Sequence, residues 1–362
     1  MDIDGKLKNL RETIPFYSWL TPVNRESEQK KFFNSKKYNP VYQYKINLTL
    51  IKNVTLKIDR IKIPDSPFKY FYRQEIEEIK IMLKMLTGTK KPVQFSKLSQ
   101  KIYGSYSESD LKFAENFLRK NQDPTGTEEI SPEDIQKILQ QEINESGISG
   151  WQIILKKDIA SKVTVKPLVK KIFIKKDYSF YPGEGRRLKI HEIQVHLFRA
   201  ENGDRQKAGI FKRGLPGYME AEEGLAVFYE NKYGKIYDKN YRRECLRQMK
   251  VYAGRLKAVD LALKNSFREV YQKLKKWFAP KMAYRLTERA KRGLHRTAQP
   301  GALTKDVHYI TGYRKIKNNL SKKRIREVLF TGKIGLKDIE SSDRLLRQNI
   351  LVPPRYQPGI KF

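Results

Sequence analysis

The chain is 362 residues long and carries 75 lysines and arginines against 40 aspartates and glutamates, a formal net charge of +35 at pH 7. That length suffices for a substantial core, in one large domain or two closely packed parts, and that charge implies an acidic partner or a broadly solvated basic surface. One cysteine, Cys245, excludes an intramolecular disulfide, and no run of about 18 apolar residues provides a helical membrane span. No apolar signal segment follows Met1, so a reducing, cytoplasmic setting is the expectation.

Residues 1–150 read as mainly helical. Phe71 to Leu86 sets Ile76, Ile79, Ile81 and Leu83 among charges, a helix that stops at Thr87-Gly88. Residues 46–63 mix strand-like alternation with helical spacing and carry no assignment. Ser107 followed by Asp110, and Ser131-Pro132 followed by Asp134, predict two capped helix starts. Between them Gln122 to Glu129, with Asp123-Pro124 and Gly126, predicts a polar loop. From Trp151 the pattern changes: Trp151 to Leu155, Lys162 to Val165 and Lys171 to Ile174 are short, β-branched and bounded by breaks, predicting three strands of one small sheet.

A helix bearing two histidines follows Gly183 and Gly185 and is expected to end before Asn202-Gly203, and a second is expected over Glu222 to Glu230. Met249, Tyr252, Leu256, Val259, Leu263, Phe267, Val270 and Leu274 then recur at threes and fours, predicting one long helix with this stripe as its buried face. The expected organisation is α+β, with a mainly helical region at 1–150 packed against a second region at 151–362. The order of small sheet, histidine helix and carboxylate helix is that of zincin-like metallopeptidases.

Chemistry concentrates in His191-Glu192-Ile193-Gln194-Val195-His196, which holds two of the four histidines, and in Glu222-Glu223 shortly after. Catalytic zinc is usually held by three imidazole or carboxylate ligands, with a fourth position left to water. These residues have that composition. The imidazoles are five residues apart, however, and in a regular α-helix would diverge by about 140°. A π-bulge absorbs one residue and restores a common face, so the spacing predicts one here. The alternative is two ordinary helix positions around a solvated Glu192.

The text around the motif bears on that choice. His191 to Gly203 is followed by Gln206, Gly214, Tyr218 and Glu222-Glu223-Gly224-Leu225-Ala226. Residues 161–174, Arg187-Leu188, 242–271, Arg289, Arg292-Gly293, 303–313, 330–339 and 351–356 continue in the same order. Together they resemble the microtubule-associated tyrosine carboxypeptidase family and its bacterial relatives, described as flavohaemoglobin expression-modulating QEGLA-motif proteins. The likeness is specific from about residue 150 to 357 and looser before it, at 16–24, 38–44 and 101–107. Glu222 stands where the bacterial name implies glutamine, which leaves Glu222 and Glu223 both open as the carboxylate ligand.

The resemblance implies one Zn2+ per chain, ligands His191, His196 and Glu223, and Glu192 as general base. A carboxylate next to a metal-held histidine is placed to take a proton from the attacking water and return it to the leaving amine. Tyr218, His308, Tyr309 and Tyr313 are candidates for stabilising the oxyanion, and each is equally suited to packing among the 21 tyrosines. A carboxypeptidase also needs a partner for the free C-terminal carboxylate. Arg199, three residues beyond His196, is the first candidate, or else a support for Glu222 or Glu223, with Arg205, Lys212 and Arg213 as others.

The resemblance thus implies a zinc metallopeptidase removing a C-terminal residue, tyrosine by the family's description, from a protein or peptide. The acidic, tyrosine-bearing tubulin tail suits the basic charge. The alternative is a basic nucleic-acid-binding or regulatory protein whose zinc is structural or absent, although no finger, RNP-like or helix-turn-helix signature accompanies the charge. A metal hydrolase of a non-peptide amide is a third reading.

Overall fold

The structure is a computed structural model, and it describes residues 2–120, 129–157, 159, 161–234, 236–320 and 322–359. The polar loop expected over Gln122 to Glu129 falls almost wholly outside the described residues. The chain forms two compact units, each assembled from two stretches: Met1–Lys120 with Tyr252–Ile310, and Asn121–Val251 with Thr311–Phe362. The expected boundary at 150 therefore lies inside the second unit, and residues 252–310 belong to the first. The helices Lys239–Ala262 and His308–Asn319 each run from one unit's stretch into the other's. A boundary read from local composition does not register a chain that leaves a unit and returns.

The named elements of the first unit are all helices. Residues 46–63, unassigned from sequence, form the helix Leu48–Asp59, started by Asn47, whose side chain accepts from the Leu50 amide at 2.9 Å. The helix Lys69–Thr87 buries Ile76, Ile79 and Leu83, as its spacing requires. Ser107 and Asp110 bond each other's amides at 3.2 and 2.9 Å, fixing the start of the helix Glu108–Lys120. Phe32 packs edge-on against Phe267, Tyr271 and Tyr284, with ring centres 5.1, 4.9 and 5.1 Å away.

The long stripe from Met249 to Leu274 is not one helix. The first helix ends at Ala262, and a second, Phe267–Leu274, starts from Ser266. Ser266 accepts from the Glu269 amide while the Glu269 carboxylate accepts from the Ser266 amide, a reciprocal cap. Two helices in succession each bury one face, so the stripe kept its period across the break.

In the second unit the three expected strands are present: β1 (Gln152–Lys156), β2 (Val163–Lys166) and β3 (Lys171–Lys175), in the order β1-β3-β2. β1 runs parallel to β3, pairing Ile153 with Ile172, and β2 runs antiparallel to it, pairing Val165 with Ile172. The helix Pro132–Glu145, capped by Ser131, turns Ile135, Leu139 and Ile143 into a core shared with Ile172 and Ile174 of β3 and with Ile190, Ile193, Val195 and Leu197. The last four belong to the histidine helix, which is thereby fixed along its apolar side. Among the described residues no helix is long and apolar enough to cross a membrane.

Candidate metal centre

The segment that carries the histidines is a π-helix, Lys189–Leu197, continuous with the helices Glu184–Leu188 before it and Phe198–Asp204 after it. The Phe198 amide donates to the Ile193 carbonyl, the five-residue step of a π ladder. Residues five apart then share a face, which brings the His191 and His196 rings together at 4.6 Å between centres and 88° between planes. On the opposite side Gln194 donates to Glu142 at 2.7 Å and Lys189 pairs with the same carboxylate at 2.8 Å, tying the π-helix to Pro132–Glu145. The histidine helix does not end before Asn202-Gly203 but continues to Asp204. Gly203 serves close packing instead: a Cβ there would lie 2.3 Å from the Phe211 carbonyl oxygen.

The second carboxylate helix, Met219–Tyr233, is longer than expected and lies against the π-helix. Its seat is set on its other side by Gly224, where a Cβ would come within 2.4 Å of the Gly312 backbone. Glu222 and Glu223 are neighbours in sequence and so point about 100° apart. Glu223 Oε2 faces both rings, 3.5 Å from His191 Nε2 and 4.0 Å from His196 Nε2. Glu222 instead reaches the far nitrogen of His196, Nδ1, at 3.2 Å. Glu223 is the carboxylate on the face shared by the two Nε2 atoms, and Glu222 stands behind His196.

The donor set fits a metal of zinc's size. One ligand atom from each of His191, His196 and Glu223 lies within 4.8 Å of the other two. Ligands about 2.0–2.2 Å from a tetrahedral ion sit roughly 3.4 Å apart; Glu223 Oε2, 3.5 and 4.0 Å from the two nitrogens, is near that spacing, and the set as a whole closes by at most about 1.4 Å to reach it. Both outer nitrogens meet a buried carboxylate: His191 Nδ1 lies 2.8 Å from Glu230 Oε1, and His196 Nδ1 faces Glu222. A carboxylate hydrogen-bonded to Nδ1, as Glu230 is at His191, is the support that fixes the tautomer of a metal-binding imidazole; Glu222 lies 3.2 Å from His196 Nδ1 without a hydrogen bond to it.

Arg199 does not have the freedom to bind a substrate carboxylate. It is completely buried, its guanidinium pairs with Glu222, and it donates to the carbonyls of Leu329 at 2.9 Å and Ile334 at 2.6 Å. Lys333 reaches the other Glu222 oxygen at 2.8 Å. The arginine therefore belongs to the support of His196 and anchors the 329–334 segment. Arg199→Met leaves Glu222 buried with one cation fewer and strands the carbonyls of Leu329, Gly332 and Ile334. We expect a loss of about 3–5 kcal/mol of folding free energy, read as a lower urea midpoint; an unchanged midpoint contradicts this role.

The electrostatics of the cluster call for a cation. Burial opposes charge on the His191 ring, but Glu230, Glu223 and Glu192 outweigh it and raise its pKa to about 10 in the metal-free protein. Burial also opposes ionisation of Glu222, yet Lys333, Arg199 and His196 hold it far below its ordinary 4.5. Arg187 and His191 do the same for Glu230 against its burial. A carboxylate with a depressed pKa adds stability that is complete above its ordinary value and is lost as pH falls. An imidazole with a raised one adds stability that is complete below 6.5 and is lost as pH rises through about 10. The metal-free protein is expected to resist urea best between about pH 4.5 and 6.5. A midpoint that holds steady down to about pH 3, or climbs between 6.5 and 10, contradicts this.

Of the remaining expected site residues, Glu192 is half-buried on the π-helix beside His191, with no hydrogen bond or ion pair among the described residues. Tyr218 precedes the carboxylate helix, with Lys333 Nζ 5.4 Å from its ring centre, and Tyr313 is partly buried in the same unit. Tyr309 and His308 belong to the first unit. There Tyr309 stacks on Tyr252 at 4.5 Å under Arg255, and His308 meets the Tyr103 ring edge-on at 5.8 Å. Arg205 donates to the Pro353 carbonyl and Lys212 to Asp204. The sequence assigns no site role to Glu230, Arg187 or Lys333, although Arg187 and the 330–339 segment carry part of the resemblance. Glu230 had a readable signal, since it lies seven residues after Glu223 and so on the same helical face.

An α+β fold brings two imidazoles and a carboxylate together at one point, a group that could hold a single metal ion. The chain belongs to the microtubule-associated tyrosine carboxypeptidase family, whose model matches residues 30–361. It is 28% identical over 155 residues to microtubule-associated tyrosine carboxypeptidase 1 of Mus musculus, a match covering 41% of this chain and 31% of the mouse protein.

Proposed function

We propose that this chain is a zinc-dependent carboxypeptidase that releases the C-terminal residue, tyrosine in particular, from a peptide or protein. The observation that carries the reading is the pair of imidazoles sharing one face with Glu223, each braced from behind by a buried carboxylate. Family membership supports the choice of a carboxypeptidase among metal hydrolases. One Zn2+ per chain is proposed, held by His191, His196 and Glu223.

When bound, zinc supplies a Lewis acid that acidifies water and polarises the scissile carbonyl. The chain's own residues do the rest. Glu192 accepts the proton of the attacking water and delivers it to the departing amine, a role suited to a carboxylate with no competing hydrogen bond. Glu230 and Glu222 hold the imidazoles in one orientation throughout. Tyr218 and Tyr313 are the hydroxyl donors assigned to the substrate in this unit. The net charge of +35 favours a substrate whose C-terminal segment is acidic, and the single buried Cys245 suits action in the cytosol.

Zinc-loaded protein incubated with an acidic peptide ending in tyrosine, beside the same peptide amidated at its C-terminus, tests this by mass spectrometry. Loss of tyrosine from the free-ended peptide alone is expected. Absence of trimming from every free-ended peptide supplied to zinc-loaded protein overturns the reading.

A further inference from the structure

We propose that Arg187 is a positioning residue for the metal centre, acting on His191 through Glu230. The inference rests on the metal reading of the site. A single carboxylate oxygen carries the coupling: Glu230 Oε1 accepts from Arg187 Nη1 at 2.8 Å and lies 2.8 Å from His191 Nδ1. Arg187 is 4% exposed and Glu230 1% exposed, so water does not stand in for either.

The guanidinium is itself held on two further sides. Its Nε lies 3.3 Å from Glu244 Oε1, and its Nη2 lies 3.4 Å from Glu184 Oε1. Glu184 is paired in turn with Lys162 at 2.6 Å, which sits on β2's approach and stacks over the Tyr178 ring at 4.6 Å. The contacts form a line from the sheet side of this unit to the metal: Lys162, Glu184, Arg187, Glu230, His191. The other end of Glu230 is fixed by its backbone carbonyl, which accepts from the Tyr241 hydroxyl at 2.9 Å.

The planar fork of arginine is what this geometry needs. Three carboxylates approach it from different directions, and a guanidinium spreads its donors over three nitrogens in a rigid plane, where an ammonium has three on a single atom. It keeps Glu230 ionised and pointed at Nδ1. Glu230 in turn holds His191 in the tautomer whose Nε2 lone pair faces the metal. A lysine at 187 keeps the charge but reaches fewer of the carboxylates, so the aim of Glu230 loosens while the buried charge balance survives.

The test is zinc affinity, measured on folded full-length protein by competition with a chromophoric chelator, in a double-mutant cycle. Arg187→Lys is expected to weaken zinc binding about 10-fold, and Glu230→Gln about 10–100-fold. If Arg187 acts through Glu230, the double variant binds zinc no more weakly than Glu230→Gln alone, within about two-fold. Losses that multiply in the double variant overturn the proposal, because a purely structural arginine would lower affinity in either background. Glu184→Gln, which removes the charge facing Nη2 and leaves Arg187 in place, gives a second route should Arg187→Lys not fold: a smaller loss, again seen only when Glu230 is present. Wild-type protein that binds no zinc would sink the metal reading and this inference together. Tight wild-type binding with an additive cycle sinks this inference alone.

Discussion

Glu192→Gln is expected to keep its zinc and lose turnover by about 10²–10⁴-fold, the usual contribution of a positioned acid–base group. The substitution changes almost nothing else. Glu192 is half-buried, makes no hydrogen bond or ion pair among the described residues, and sits on a helix whose apolar side is anchored by Ile190, Ile193, Val195 and Leu197. Glutamine matches its shape and lacks only the basic oxygen. Elemental analysis should therefore return the wild-type metal content, and mass spectrometry should show the tyrosine-ended peptide intact at times when wild type has trimmed it. Trimming at wild-type rate by the metal-loaded variant would falsify the assignment of Glu192 as the base. Loss of zinc instead would place Glu192 in the support of the site.

Glu223→Ala should act on the other quantity. It removes the carboxylate oxygen that faces both Nε2 atoms, at 3.5 and 4.0 Å. The loss of affinity should exceed the roughly 10–100-fold that outer-shell substitutions cost, and purified protein should contain little or no zinc. Glu222→Gln is the informative companion. It leaves Glu223 untouched and keeps an acceptor for His196, so it should retain metal more strongly than Glu223→Ala. The reverse order would exchange the roles of the two glutamates.

Much of this arrangement was legible beforehand because it depends on short-range regularities. The five-residue histidine spacing demanded a π-turn, since no regular helix brings the two rings onto one face, and the chain is π-wound over that stretch. The three strands follow from β-branched runs with breaks between them, and the Ser107 and Ser131 caps from side-chain chemistry acting over three residues. What was illegible is longer in range. Arg199 is a plausible carboxylate binder until the 329–334 segment folds over it and takes its donors. Glu222 and Glu223 are interchangeable in sequence and separate only when the helix seats against the π-turn. The break at Ser266 was masked by a hydrophobic period that continues through it. The division into two units depends on where the helix Lys239–Ala262 leads, which no local window reports.

The π-turn also makes the site sensitive to counting. Arg199 lies three residues after His196 and is pinned to the carbonyls of Leu329 and Ile334, while Arg187 lies four before His191 and is pinned among three buried glutamates. Both ends of the winding are thus clamped in angle, and the extra residue between the histidines takes up the difference in phase. Ile193 and Val195 hold the core side and Gln194 holds Glu142, so the kind of each residue is constrained by packing and their number by the winding. A one-residue deletion there would turn everything downstream by about 100° and pull His196 and Arg199 out of step with a partner segment that cannot rotate to follow. In this protein the distance between the two imidazoles is stored as a length of chain.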